Sequence, residues 1–258
     1  MVGSTPSASS RHLRAVSLFA VLSMFATWNM AAAQSATAPD YAAIIAAPDR
    51  SDADRQTDVR RDPTELLAFT GAKPGMKVLD MGAGAGYSTE LMARAVGAGG
   101  TVYAQESALV MERVKDKFDI RAQTPAMKNV VHLIRNYDDP VPADVGGLDL
   151  ITFFFAYHDT GYMPVDRAEM NRKLFAALKP GGVLVIADHS AKPGDGIKVV
   201  KTFHRIEEST LRQEIEAAGF KLVSEGNFLK HPEDPRDAAV FRPAVPVDEF
   251  VLKYQKPM

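Results

Sequence analysis

Apolar and polar positions along this chain follow two rhythms. Short, nearly unbroken apolar runs alternate with longer segments in which apolar residues recur at helical spacing. Val78-Leu79, entered through the turn residues Lys73-Pro74-Gly75, begins the first strand-like run. Residues 101–106, 129–134, 148–155 and 183–187 continue the series, and two more runs fall around 221–229 and 249–254. The run at 148–155 is apolar almost throughout, as a strand covered on both faces of a parallel sheet must be. Between the runs, helices are predicted after Asp62-Pro63 and over 88–95, 108–118, 166–178 and 207–218, the last stopped by Gly219. Seven strands alternating with helices of this length predict a doubly wound, mostly parallel α/β sheet with helices on both faces, a single domain over 58–258.

The first residues follow neither rhythm. Arg11 and Arg14 precede an apolar run over 15–30, and Ala31-Ala32-Ala33 supplies the small residues of a cleavage site before Gln34. That run is shorter than the roughly 20 apolar residues a membrane-spanning helix needs. Residues 1–33 are therefore expected to be a cleaved signal peptide. Cleavage would leave no stable membrane span and place the rest outside the cytoplasm, periplasmic or secreted. Residues 34–57, rich in Ala, Pro, Asp and Ser, read as a linker leading into a loosely attached helical segment.

Composition narrows the chemistry. With 46% hydrophobic and 24% charged residues the chain is ordinary globular material, and its formal net charge is −2. Residues 1–33 hold two Arg and no acid, so 28 basic and 32 acidic residues follow them. Nucleic-acid partners call for the opposite balance, and none is expected. The absence of cysteine removes disulfides, thiolate metal sites and cysteine nucleophiles together. Oligomeric state is not legible at this level.

The most informative stretch is Asp80-Met81-Gly82-Ala83-Gly84-Ala85-Gly86. It breaks a strand into a glycine-rich turn and opens a helix, so backbone N–H groups and a helix N-terminus converge where a ligand can come close. A dinucleotide fingerprint needs Gly at Tyr87 or Thr89, and a phosphate-binding loop needs a Gly-Lys-Ser/Thr ending; neither is present. What remains is acid-x-Gly-x-Gly-x-Gly. Further along come Glu106 ending the second strand, Asp149 in the fourth, Leu178-Lys179-Pro180-Gly181-Gly182, and Glu214-Ile215-Glu216-Ala217-Ala218-Gly219-Phe220. Together and in this order, over about 62–256, they resemble the class I S-adenosylmethionine-dependent methyltransferases.

That resemblance implies a Rossmann-like fold and S-adenosyl-L-methionine as cofactor. It lays Gly82, Gly84 and Gly86 along the methionine and ribose portion and sets Asp80 toward the ammonium end, directly or through water. Glu106 would accept both ribose hydroxyls. Asp138 is the choice for the adenine amino group, with an Asx turn before Pro140 as the alternative and Tyr137 as a stacking face. His231-Pro232-Glu233-Asp234-Pro235-Arg236-Asp237, followed by Val240-Phe241, is most similar to predicted methyltransferases that carry export signals, a group that brings no substrate with it.

Three polar clusters fall where the acceptor should lie, at the carboxyl ends of the strands. They are Tyr157-His158-Asp159, Asp188-His189-Ser190 and His204-Arg205-Ile206-Glu207. Methyl transfer is an in-line displacement at a sulfonium, so positioning is the main task, and a base is needed only for a protonated nucleophile. His158 or His204 would serve, with Asp159 orienting a ring nitrogen. Arg205 is expected to pair with an acid. The acceptor is expected to be a small molecule. Imidazole and carboxylate suit several divalent ions, and a metal site from His158, Asp159, Asp188, His189 and His204 stands as a minor alternative; these residues have no compact ligand spacing, so the expectation is no metal.

Overall fold

The computed structural model describes residues 1–5 and 37–258. The expected signal peptide lies outside the described residues but for its first five. The chain divides into units at residues 35 and 36, and everything below concerns the unit from Ala36 onward. Among the described residues no helix is long and apolar enough to cross a membrane.

Seven strands form one sheet: β1 Lys77–Met81, β2 Thr101–Glu106, β3 Val130–Ile134, β4 Leu148–Phe154, β5 Leu178–His189, β6 Lys221–Gly226 and β7 Glu249–Gln255. Their order is β3-β2-β1-β4-β5-β7-β6, and only β7 runs against its neighbours. The Rossmann-like, mostly parallel fold expected from the sequence is the one observed. Among the described residues eight α-helices accompany it: α1 Tyr41–Ile45, α2 Asp52–Arg61, α3 Pro63–Thr70, α4 Tyr87–Val96, α5 Ala108–Ala122, α6 Arg167–Ala177, α7 Val200–Phe203 and α8 Glu208–Ala217.

Strand side chains alternate between faces. Leu79, Ile151, Phe153, Leu184 and Ile186 meet α6 and α8 through Met170, Leu174, Leu211 and Ile215. Val78, Leu150, Val185 and Ala187 meet α3 and α4 through Leu66, Leu67, Leu91 and Met92 on the opposite face. β1 lies between β2 and β4, so the chain reverses its winding there and opens a crevice at the carboxyl ends.

Residues 34–57 are more than a linker. α1 and α2 lie in this stretch and just beyond it, and they are fastened by buried charge. Arg50 grips Asp58 with both terminal nitrogens at 2.6 and 2.7 Å, and Arg121 of α5 reaches Asp54 at 2.7 and 2.8 Å. Tyr41 donates to the carbonyl of Ala72. The attachment combines these ion pairs with packing of Tyr41, Ile44 and Ile45 against the core.

Candidate active site

The glycine turn follows β1 directly. Gly82 has φ +65°, and a Cβ there would lie 2.7 Å from that of Ala156 and 3.2 Å from the Tyr137 hydroxyl. The side chains of Ala156, just past β4, and Tyr137 thus press on the turn, and only glycine fits. Gly84, at φ +54°, is different: a Cβ there would meet little but open space. This is where a ligand can lie against the chain. Gly86 begins α4 without a side-chain cap, which leaves the first N–H groups of that helix available.

Asp80 is fully buried and accepts hydrogen bonds from Ser88 (2.8 Å), Thr89 (2.7 Å) and Thr152 (2.7 Å). Burial pushes its carboxyl up while the three hydroxyls pull against that rise. It pins the start of α4 to β1 and β4, so any influence on an ammonium group passes through the hydroxyls it holds. Glu106 is likewise buried. Its Oε1 accepts from the Ser107 amide (2.7 Å) and the Tyr137 hydroxyl (3.0 Å), and its Oε2 from the Gly84 amide (3.0 Å). Only Oε2 keeps evident room for a ribose hydroxyl. Asp138 accepts the Asp166 amide at 3.2 Å and so holds the cap of α6, while Tyr137 is buried, stacked on Phe153 at 5.9 Å. Asp138 thus already serves one backbone amide, and one face of the Tyr137 ring is covered by Phe153.

The second group forms where β4 and β5 end. His158 begins a 3-10 turn, and its amide and ring Nδ1 both engage Asp188, at 2.8 and 2.7 Å. Asp188 is fully buried and neighbours β4 through the register Phe154–Ala187. With Nδ1 held by Asp188, Nε2 of His158 turns to His204 Nδ1 (3.2 Å) and Asp159 Oδ1 (3.1 Å). His204 Nδ1 also lies 3.2 Å from Asp159 Oδ1. All three residues expected to be catalytic therefore meet at one point. Burial alone would keep the His158 ring neutral, but Asp188 and then Asp159 override it and raise it to about 10. Tyr157, by contrast, points into the core and bonds Glu214 and Asn171.

His189 and Glu249 form a neighbouring buried pair. The His189 Nδ1 is 2.8 Å from Glu249 Oε1 but off the line of a hydrogen bond. Burial holds His189 at about 3 and pushes Glu249 up to about 8, so both are neutral at pH 7. Between the ordinary glutamate range and pH 8 the folded chain keeps a proton that the unfolded chain releases, so Glu249 makes stability fall as pH rises there. His189 acts only below the ordinary histidine range. Glu249→Gln is therefore expected to lose less stability than the wild type between about pH 6.5 and 8. Urea unfolding at the two pH values checks this, and an unchanged slope would acquit Glu249.

These groups line a cleft of about 1230 Å³. Arg60, Arg61, Arg113 and Arg242 bring positive charge to it, and Phe155, Tyr162, Phe228 and Phe241 bring aromatic surface. Arg61 stands 4.3 Å over the Phe155 ring and 5.5 Å from that of Tyr87; among the described residues it has no carboxylate partner, and its Nε has no acceptor. Sequence reasoning missed Arg61 and Glu249; the Arg60-Arg61 pair just before a helix break was the only signal. Arg205 pairs with Asp234 at 2.7 and 3.3 Å, as expected of it, and also holds the carbonyls of Ser190 and Ala238.

Residues 52–225 match the family described as "Methyltransferase domain". The chain belongs to this family. It is a class I S-adenosylmethionine-dependent methyltransferase, and the open face at Gly84 beside the uncapped helix suits that cofactor. Among curated proteins, the methyltransferase is 27% identical over 168 residues to the ubiquinone/menaquinone biosynthesis C-methyltransferase UbiE of Vibrio vulnificus. The match takes in 64% of this chain and 61% of the relative, so the chain spans less than two thirds of that protein. It is 32% identical over 126 residues to the carboxy-S-adenosyl-L-methionine synthase of Photobacterium profundum, over 48% of each chain. Among solved structures, a SAM-dependent methyltransferase from Aquifex aeolicus shares the fold with a TM-score of 0.56 at 21% identity, covering 80% of this chain and 99% of that one. An arsenic(III) S-adenosylmethionine methyltransferase from Chlamydomonas reinhardtii has a TM-score of 0.53 at 16% identity, covering 86% and 75%.

Proposed function

We propose that this methyltransferase moves a methyl group from S-adenosylmethionine to a small, anionic, aromatic acceptor seated in the arginine-lined cleft. The observation that carries the reading is the cleft itself. It offers four arginines and four aromatic rings, and it abuts His158 two residues beyond Ala156, which touches the glycine turn. The cofactor supplies an electrophilic methyl on a sulfonium. A lone pair of the acceptor forms the new bond to that carbon, and the S–CH3 pair returns to sulfur, leaving S-adenosylhomocysteine. The chain's part is orientation and charge. Arg60, Arg113 and Arg242 hold the acceptor's anion, aromatic side chains stack on its ring, and the positively charged head of the cleft at His158 favours the acceptor's reacting oxygen as an anion. A phenolate is nucleophilic at oxygen and at its ortho carbon; the likeness to the C-methyltransferases of Vibrio favours carbon.

Gly82, Gly84, Gly86 and Glu106 are assigned to the cofactor on this reading, with Asp80 behind them. Arg61 lies beside Tyr87 where the methionine end would reach; it has no carboxylate partner among the described residues and is assigned to that carboxylate. Arg61→Met is expected to weaken S-adenosylmethionine by about 1.5–3 kcal/mol, the worth of a charged hydrogen bond. Methylthioadenosine, which lacks the amino acid, should bind the variant as it binds wild type. Equal losses for both ligands would unseat Arg61 from this role.

The basic residues and apolar run before Gln34 support an exported, periplasmic or secreted location. A fusion of the first 40 residues to a reporter active only outside the cytoplasm tests that. For the activity, the full chain is titrated calorimetrically with S-adenosylmethionine and S-adenosylhomocysteine, then offered a panel of aromatic acids with mass-spectrometric detection of a methyl gain. Absence of binding at millimolar ligand would end the methyltransferase reading. Binding without any methyl gain, on any acceptor class, would leave a nucleoside-binding protein.

A further inference from the structure

Three ligand-type atoms at the head of the cleft lie within hydrogen-bond distance of one another and also fit around a single ion. His158 Nε2, His204 Nδ1 and Asp159 Oδ1 form a triangle with sides of 3.1, 3.2 and 3.2 Å. A cation at right angles to all three would stand about 2.2 Å from each, against metal–ligand distances of roughly 2.0–2.2 Å for nitrogen and oxygen donors of zinc. We infer that His158, His204 and Asp159 bind one first-row divalent metal ion at the head of the acceptor cleft.

The surroundings fit a metal site. A ligating imidazole usually donates its other ring N–H to a carboxylate, which fixes the tautomer and turns the lone pair to the ion. His158 does this through Nδ1 to the fully buried Asp188, at 2.7 Å. Asp159 is steadied in the same way by the Tyr162 hydroxyl, which donates to it at 2.9 Å. His204 sits at φ +54°, ψ +48°, a left-handed conformation that few non-glycine residues adopt, and its ring is packed edge-on by Phe241 at 4.7 Å. In this conformation Nδ1 lies 3.2 Å from each of the other two donors.

Donor type narrows the ion. Two imidazoles and one carboxylate, with no carbonyl oxygens, suit zinc, iron(II), cobalt or nickel rather than magnesium or calcium. Three protein ligands on one side leave the cleft side open. An acceptor hydroxyl entering there would bind the ion, and its proton would be released to water as the oxygen becomes an anion. Metal binding is separable from the methyltransferase reading, because cofactor binding involves the glycine turn and can be measured without the ion.

The test uses the full chain stripped with a chelator and titrated with Co2+, followed by its visible absorption, with Zn2+ as competitor. Saturation at one equivalent and displacement by Zn2+ are expected. Asp188→Asn should weaken Co2+ by about 10–100-fold. His204→Ala and Asp159→Ala should abolish the spectrum while leaving S-adenosylmethionine affinity unchanged, which also shows the variants are folded. Both side chains are about a quarter exposed, so truncation leaves no large buried void. No saturable spectrum in the wild type, or the same spectrum in both truncations, would overturn the site and leave the triangle as a shared-proton cluster.

Discussion

Arg205→Leu is expected to lower the unfolding free energy by about 3–5 kcal/mol, the usual cost of removing one member of a buried ion pair. Typical domains have only about 5–15 kcal/mol in total, so this is a severe loss. Arg205 is 2% exposed and Asp234 8%, and the guanidinium also satisfies two carbonyls. Without it the Asp234 carboxylate stays buried, supported only by the amides of Arg236 and Asp248. That pair ties the end of β5 to the loop carrying Val240, Phe241 and Arg242, so the cleft wall should loosen with it. Urea unfolding of wild type, Arg205→Leu, Asp234→Asn and the double variant measures the effect. The double variant should recover part of the loss, because it no longer buries a lone charge. A single-variant change below 1 kcal/mol, on any denaturant slope, would mean the pair is solvated.

His158→Ala is expected to reduce methyl transfer by about 10²–10⁴-fold, the range for losing a positioned acid–base group. S-adenosylmethionine affinity should not change, since no atom of His158 bonds the glycine turn. His158 is the hub of the site: its ring joins Asp188 to Asp159 and His204 at once. The alanine variant leaves Asp188 buried with only the amides of His158 and His189 as partners. Single-turnover methylation of an acceptor found in the panel, compared with calorimetric cofactor binding, separates the two effects. Undiminished turnover with intact binding would remove His158 from the reaction.

The fold was legible because its signals are local. An apolar run of strand length, a glycine or proline after most helices, and the buried strand at 148–155 are properties of neighbouring residues. The seven strands and their order of appearance follow from them. The glycine turn was legible for the same reason: three glycines at alternate positions, each held at positive φ, are a local signature of backbone conformation, although Ala156 and Tyr137 also press on Gly82.

What each carboxylate does was not legible. Asp80, Glu106 and Asp138 stand at expected places along the chain, yet their partners are chosen by the packing of other segments. Glu106 is taken up partly by Tyr137, 31 residues away, and Asp138 by the amide of Asp166. The tight hold on α1 and α2 was hidden similarly, since Asp54 and Arg121 lie 67 positions apart.

The sequence by itself determined a doubly wound sheet with a cofactor turn after its first strand, because periodicity and glycine spacing act over a few residues. Only the tertiary structure decided that His158, Asp159 and His204 share one point, with Asp188 behind them and Arg61 nearby. That convergence depends on β4 and β5 ending side by side and on one left-handed residue at 204, and neither is written in any local stretch of the chain.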